Sequence, residues 1–233
     1  MFKKLGHSLL ENRRFSSYLL YALGEIVLIV IGILFALQLD ALSNRRSERR
    51  QAARLYATIQ RQLQEDRKEL ENVRAYNLYF SAAYERANEI IALRDYQQTD
   101  SLAILAMMLS QYSDFHRSAR IYENLAASGQ LGLLDNAEIT GSLQKLEMTF
   151  SIADNLESLH WDLIINELSP ELRTVVNYNT LKAEQPERLY GLALQNIFVE
   201  SIYLTKIKDS IYNRALHEID GLNGMIASEI ESD

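Results

Sequence analysis

The chain has no cysteine, and only two prolines, one tryptophan and nine glycines in 233 residues. The missing cysteine excludes disulfide frameworks, thiol nucleophiles, lipid attachment through cysteine and thiolate metal sites. So few chain breakers over that length leave little turn chemistry, which points to long helices. No Gly-rich phosphate loop, Gly-x-Ser-x-Gly elbow or His-Glu-x-x-His motif occurs, and the expectation is a protein that is not an enzyme and carries no cofactor. A basic stripe is lacking too. Residues 1–50 hold eight Lys/Arg against four Asp/Glu, and residues 51–233 hold sixteen against twenty-seven, so the net charges are +4 and −11. The acidic portion repels phosphates, and nucleic acid is not an expected partner.

What the chain does have is one long apolar run. Residues 18–39, YLLYALGEIVLIVIGILFALQL, carry a single charge. As a helix they reach roughly 33 Å, enough to cross the hydrocarbon of a bilayer. A cleaved signal peptide, with Ala41 and Ser43 before the cut, is the competing reading, but its apolar region would be shorter. The expectation is an uncleaved single-pass membrane anchor, with Tyr18 and Tyr21 at one interface and Gln38 and Asp40 at the other. Basic residues flank both ends: Lys3, Lys4, Arg13 and Arg14 before, Arg45, Arg46, Arg49, Arg50 and Arg54 after. Long domains cross regardless of charge, and a short basic tail ahead of the first span usually stays inside. The domain after the span is therefore expected to be periplasmic, with the NRRSERR flank as the opposing signal.

Glu25 is the residue out of place. It lies seven residues past Tyr18, roughly 10 Å along the axis, where an ionised carboxylate is costly and is expected to hold a proton or a partner. Steps of three and four place Tyr18, Ala22, Glu25, Ile29, Gly32, Ala36 and Leu39 on one stripe. Small residues there let two helix backbones approach, so Ala22, Glu25, Ile29, Gly32 and Ala36, with Gly24 beside them, form a candidate contact face between spans. Helix association, proton or ion handling, and toleration near the interface remain open for Glu25.

Beyond the membrane the helical period continues. Tyr56, Ile59, Leu63, Asp66, Leu70, Val73, Asn77, Phe80, Tyr84, Ala87 and Ile91 follow a three-four spacing with no Gly or Pro between residues 41 and 100. Asp66 and Asn77 either fix register inside a packed seam or mark where the stripe meets water. Tyr56 and Tyr84 read as core aromatics. A second helix is expected from Ser101, capped by Asp100 or Thr99, and a third, RIYENLAAS, that stops at Gly129. A fourth is expected from a capping box at Asp135 and Glu138 to about Leu168, where Ser-Pro interrupts it. The last should start at Pro186 and reach about Ile230, with Leu189, Leu192, Ile197, Ile202, Leu204, Ile207, Ile211, Leu216, Ile219 and Leu222 on its apolar face.

The predicted fold is therefore all-α. A basic tail (1–17), a transmembrane helix (18–40) and a long stalk helix (41–95) lead into an antiparallel helical bundle (96–233) that the stalk completes.

The span YLLYALGEIVLIVIGILFALQLD, with Gly24-Glu25 and its Ala-Leu-Gln end, resembles a family of small uncharacterised membrane proteins of Bacteroidota. A second stretch, IYENLAASGQLGLLDNAEITGSL over residues 121–143, is similar to the same family. The family pattern has Asn-Asn-Trp-Asn after the span, where this chain has Asp40, Ala41, Leu42 and Ser43. The resemblance implies location in a bacterial inner membrane and importance for Gly24 and Glu25, and no reaction.

Glu157 and His160 have the Glu-x-x-His spacing used by di-iron bundles, but His7, His116 and His217 lack a Glu three residues earlier, so the second pair such a site needs is missing. The alternative to a metal is an amphipathic surface pair, with His160 beside Trp161 packing or capping in the bundle, and no metal is expected. Two function classes follow. The first is a membrane-anchored helical interaction or scaffold module, self-associating through its span as a homo-oligomer in membrane lipid and offering its acidic domain to a protein partner. The alternative is an oligomeric proton- or ion-handling or signal-sensing membrane protein that uses Glu25.

Overall fold

The computed structural model describes residues 13–117 and 120–232. The basic residues Lys3 and Lys4 and the histidine His7 lie outside the described residues. The fold is all-α. Helix α1 spans Arg13–Ala92, so it begins inside the expected tail. Helices α2 (Thr99–Met108), α3 (Ile121–Ala127) and α4 (Ala137–Leu163) follow. A π-helical turn, Ile164–Leu168, leads into α5 (Ser169–Val175). Strands β1 (Val176–Asn177) and β2 (Lys182–Ala183) make a two-residue antiparallel hairpin with Val176 opposite Ala183. Helices α6 (Pro186–Leu189) and α7 (Leu192–Ser232) complete the chain. It divides into two compact units, Met1–Ala53 and Arg54–Asp233.

In the first unit the described part is helix α1 alone, with every side chain from residue 18 to 51 exposed. In the second, the rest of α1 packs with α4 and α7. Arg67 meets Asp220 at 2.8 Å, Arg74 meets Asp209 at 2.8 Å and Lys206 meets Glu85 at 2.8 Å, so α7 runs antiparallel to α1. Asn136 meets Glu229 at 2.7 Å and Lys145 meets Glu218 at 3.4 Å, so α7 also runs antiparallel to α4. All eleven residues of the predicted α1 stripe are buried, Asp66 and Asn77 among them. Periodic burial against two partner helices fixes the part of α1 from Tyr56 to Ile91, since propensity alone is weak. One end of the core joins Tyr84, Ile90, Leu102, Leu109, Leu168 and Phe198.

Several boundaries differ from expectation, each for a local reason. Helix α2 starts at Thr99 with Gln98 as its N-cap, not at Ser101. The cap of α4 is Asn136 and not Asp135, because the extended backbone at Asn136 turns its Oδ1 to accept from the amides of Glu138 and Ile139 at 3.0 and 3.2 Å. Ser-Pro does not end the helical path. The wider π turn just before it absorbs the register change, and Pro170 sits in the first turn of α5, where a missing N–H is harmless. The last helix is broken at Gly191, whose position approaches the Arg188 carbonyl so closely that an added Cβ would lie 2.9 Å from that oxygen. The predicted apolar face of the last helix holds at its ends, where Leu189, Ile197, Ile219 and Leu222 are buried, but not between: Leu192 is 71% exposed, Ile202, Leu204, Ile207, Ile211 and Leu216 are half-buried, and Leu194, Phe198, Ser201, Thr205, Lys208, Tyr212, Ala215 and Ile226 are buried.

Because the second unit buries its own stripes, residues 45–233 expressed without the span should form a soluble domain. Its circular dichroism should be dominated by helix, and insolubility or a strand-rich spectrum would contradict this packing.

Candidate functional site

The residues expected to mediate contact between spans all lie on α1. Ala22, Gly24, Glu25, Ile29, Gly32 and Ala36 are exposed, as are Tyr18, Tyr21, Gln38 and Asp40. A Cβ added at Gly24 or Gly32 would meet nothing within 4 Å. The apolar side chains around them are open as well, with Leu28 73% and Phe35 64% exposed. Among the described residues this is the one helix long and apolar enough to cross a membrane. Among the described residues of the first unit, nothing covers the stripe.

The second candidate was not expected: a polar cluster inside the bundle. Four positions of the buried α7 stripe are Ser201, Thr205, Lys208 and Tyr212, and α4 contributes Glu157 and His160, all with 4% exposure or less. Glu157 and His160 are therefore not a surface pair, and His160 packs inside the bundle, the other reading of the sequence. Helical spacing puts them on the face already defined by Leu146, Phe150 and Ala153, all buried, so the register carries them inward.

The cluster is largely satisfied. Lys208 Nζ donates to Ser113 Oγ at 2.7 Å and to the Ser113 carbonyl at 3.1 Å, and lies 5.6 Å from the Tyr112 ring centre. Ser113 Oγ donates to Asn77 Oδ1 at 3.1 Å, and Asn77 Nδ2 donates to the Thr205 carbonyl at 2.7 Å. Glu157 Oε1 accepts from the Phe115 amide at 3.1 Å and from the Tyr212 hydroxyl. The Tyr84 hydroxyl donates to the Leu109 carbonyl at 2.9 Å, so at its 3.2 Å contact with His160 the imidazole Nε2 is the donor. That tautomer leaves His160 Nδ1 a bare acceptor, buried and with no partner among the described residues. Trp161, next to it, is half exposed and packs on Tyr112 at 5.4 Å between ring centres.

Burial sets the protonation of this cluster. It pushes Glu157 up to about 7, against the pull of its bonds from Tyr212 and Phe115 and of the Lys208 charge. Burial brings Lys208 down to about 8, opposed by Glu157 and Asp114. Burial, with the Lys208 charge behind it, lowers His160 to about 3, so the imidazole is neutral near pH 7. Tyr84 and Tyr212 are both raised by burial and stay protonated. Among the described residues no three or more His, Asp or Glu side chains converge as metal ligands.

A pH dependence follows from Glu157. Its folded value is raised, so the folded state takes up the proton first, and its stabilising contribution is complete below about 4.5 and lost as pH rises through about 7. His160 works oppositely, its contribution being lost as pH falls from 6.5 toward 3. Subtracting a Glu157→Gln variant isolates the first term. In urea titrations, the stability of the wild-type domain relative to the variant should grow by roughly 2–3 kcal/mol between pH 7 and pH 4.5. A constant difference would mean that Glu157 does not titrate in the core.

Comparison of the chain with family models, with curated proteins and with solved structures finds no match.

Proposed function

We propose that the chain is a single-pass, membrane-anchored helical interaction or scaffold module that self-associates through the face Ala22, Gly24, Glu25, Ile29, Gly32 and Ala36. It acts through protein contacts and not catalysis, with the acidic helical domain as the surface offered to a protein partner. The proposal includes residence in a bacterial inner membrane, a periplasmic domain after the span, and kinship with the Bacteroidota membrane family that the span resembles.

One observation carries this reading: residues 18–39 are nearly all apolar and exposed at every position. An apolar surface of this size, broken within the span only by Glu25, is not stable in water and calls for lipid or another helix as its cover. Lipid can cover the bulky positions, but a stripe of small residues with a carboxyl group in it packs better on a second helix, where backbones approach and the carboxyl finds an acceptor.

Cell fractionation tests the anchor, and a fusion tests the topology. The protein should stay in the membrane pellet after carbonate extraction, and a reporter joined after Asp233 should behave as exported. Release into the soluble fraction would overturn the anchor, and cytoplasmic reporter activity would reverse the orientation and make the flank after Leu39 decisive.

A further inference from the structure

Residues 111–117 follow α2 without regular secondary structure. Irregular connections ordinarily run over the surface, because their backbone groups need water. This one goes inward, with Ser113 3% and Phe115 4% exposed. Its grip on the bundle is partly aromatic, with Phe115 on Phe150 at 5.1 Å and Tyr112 on Trp161 at 5.4 Å between ring centres, and partly polar. Lys208 holds the Ser113 carbonyl and hydroxyl at 3.1 and 2.7 Å, Asn77 Oδ1 accepts from Ser113 Oγ at 3.1 Å, and Glu157 takes the Phe115 amide at 3.1 Å. At the far end Arg117 pairs with Asp154 at 2.8 Å and with Glu147.

We propose that residues 111–117 form a releasable strap, latched across the core by Lys208 and Glu157, whose opening is linked to proton binding at those two side chains. An apolar latch would be indifferent to protons. Here the two gripping groups are a base and an acid, and opening the strap returns both to water.

The sign follows from their surroundings. Lys208 titrates at about 8 when latched and at its ordinary 10.5 in water, so opening takes up a proton between those values and rising pH favours the latched form. Glu157, at about 7, is already mostly ionised above pH 7.5 and contributes little there. The other titratable groups facing the latch are Tyr84 from α1, His160 from α4, Tyr212 from α7, and Tyr112 and Asp114 on the strap itself. His160 is neutral in this range, and burial raises all three tyrosines. Asp114 and the Arg117 cluster are common to wild type and to a Lys208 variant, so comparison of the two subtracts them.

Hydrogen exchange on the full chain in detergent tests the latch at the Phe115 amide, as protection relative to an unstructured peptide at the same pH. At pH 7.5 that protection should be on the order of tenfold or more below that of the core-helix amides of Leu146 and Ala215, which marks a local opening. It should rise roughly five- to tenfold between pH 7.5 and 9. The rise should vanish in Lys208→Met, and equally in Lys208→Gln, which keeps a donor for Ser113. Protection at Phe115 equal to that of the core, a flat wild-type profile, or a rise that survives in the Lys208 variants would overturn the proposal. The wild-type profile decides alone if neither variant folds.

Discussion

Lys208→Ala should destabilise the domain by about 3–5 kcal/mol, read as the shift in its urea unfolding curve. The side chain is fully buried, so truncation leaves a cavity, removes the donor to the Ser113 carbonyl and hydroxyl, and takes away the positive charge that Glu157 feels. Domains of this size are stable by only about 5–15 kcal/mol, so the loss would be a large share. Lys208→Met keeps the stem volume and removes the ammonium, whose burial is itself unfavourable, so it should cost about 1–2 kcal/mol, with Glu157 taking up a proton in compensation. Because the two groups interact, Lys208→Met combined with Glu157→Gln should cost less than the sum of the single changes by about 0.5–3 kcal/mol. An alanine variant within about 1 kcal/mol of wild type would mean that the cluster does not hold the core together.

The second large effect is expected in the membrane. Gly32→Ile places a branched side chain where a Cβ now meets nothing within 4 Å, and should weaken association of the spans by blocking close approach. Glu25→Ala should weaken it independently, while Glu25→Gln, which keeps size and a donor, should preserve it. Polar contacts between spans are worth on the order of 0.6–2 kcal/mol each, a several-fold change in association per contact that grows when several subunits contribute. The proton- or ion-handling alternative predicts another pattern: Gln and Ala equally inactive, with the oligomer intact in both. Indifference to both substitutions would make Glu25 a tolerated residue of the interface.

The two stripes of the bundle show what a sequence reveals and what it hides. On α1 the apolar residues are dense enough that Asp66 and Asn77 could be read as members of one stripe, and all eleven positions are buried. On α7 a reading that follows apolar residues selects Ile202, Leu204, Ile207, Ile211 and Leu216, which only flank the core. The true stripe runs Leu194, Phe198, Ser201, Thr205, Lys208, Tyr212, Ala215, Ile219, Leu222 and Ile226, apolar at both ends and polar in the middle. Register continues through polar residues because the helix does not change its twist for them, so extending the three-four spacing inward from the two ends would have found Lys208. The same extension along Leu143, Leu146, Phe150 and Ala153 would have carried Glu157 and His160 into the core. The π turn before Pro170 and the break at Gly191 were hidden for a different reason, since both answer to packing and close backbone approach.

The central claim is that the span is an associating face and not merely an anchor, and the mass of the purified full-length protein in detergent tests it most directly. The account predicts a defined homo-oligomer, reduced toward monomer by Gly32→Ile. A monomer at every protein concentration would contradict it.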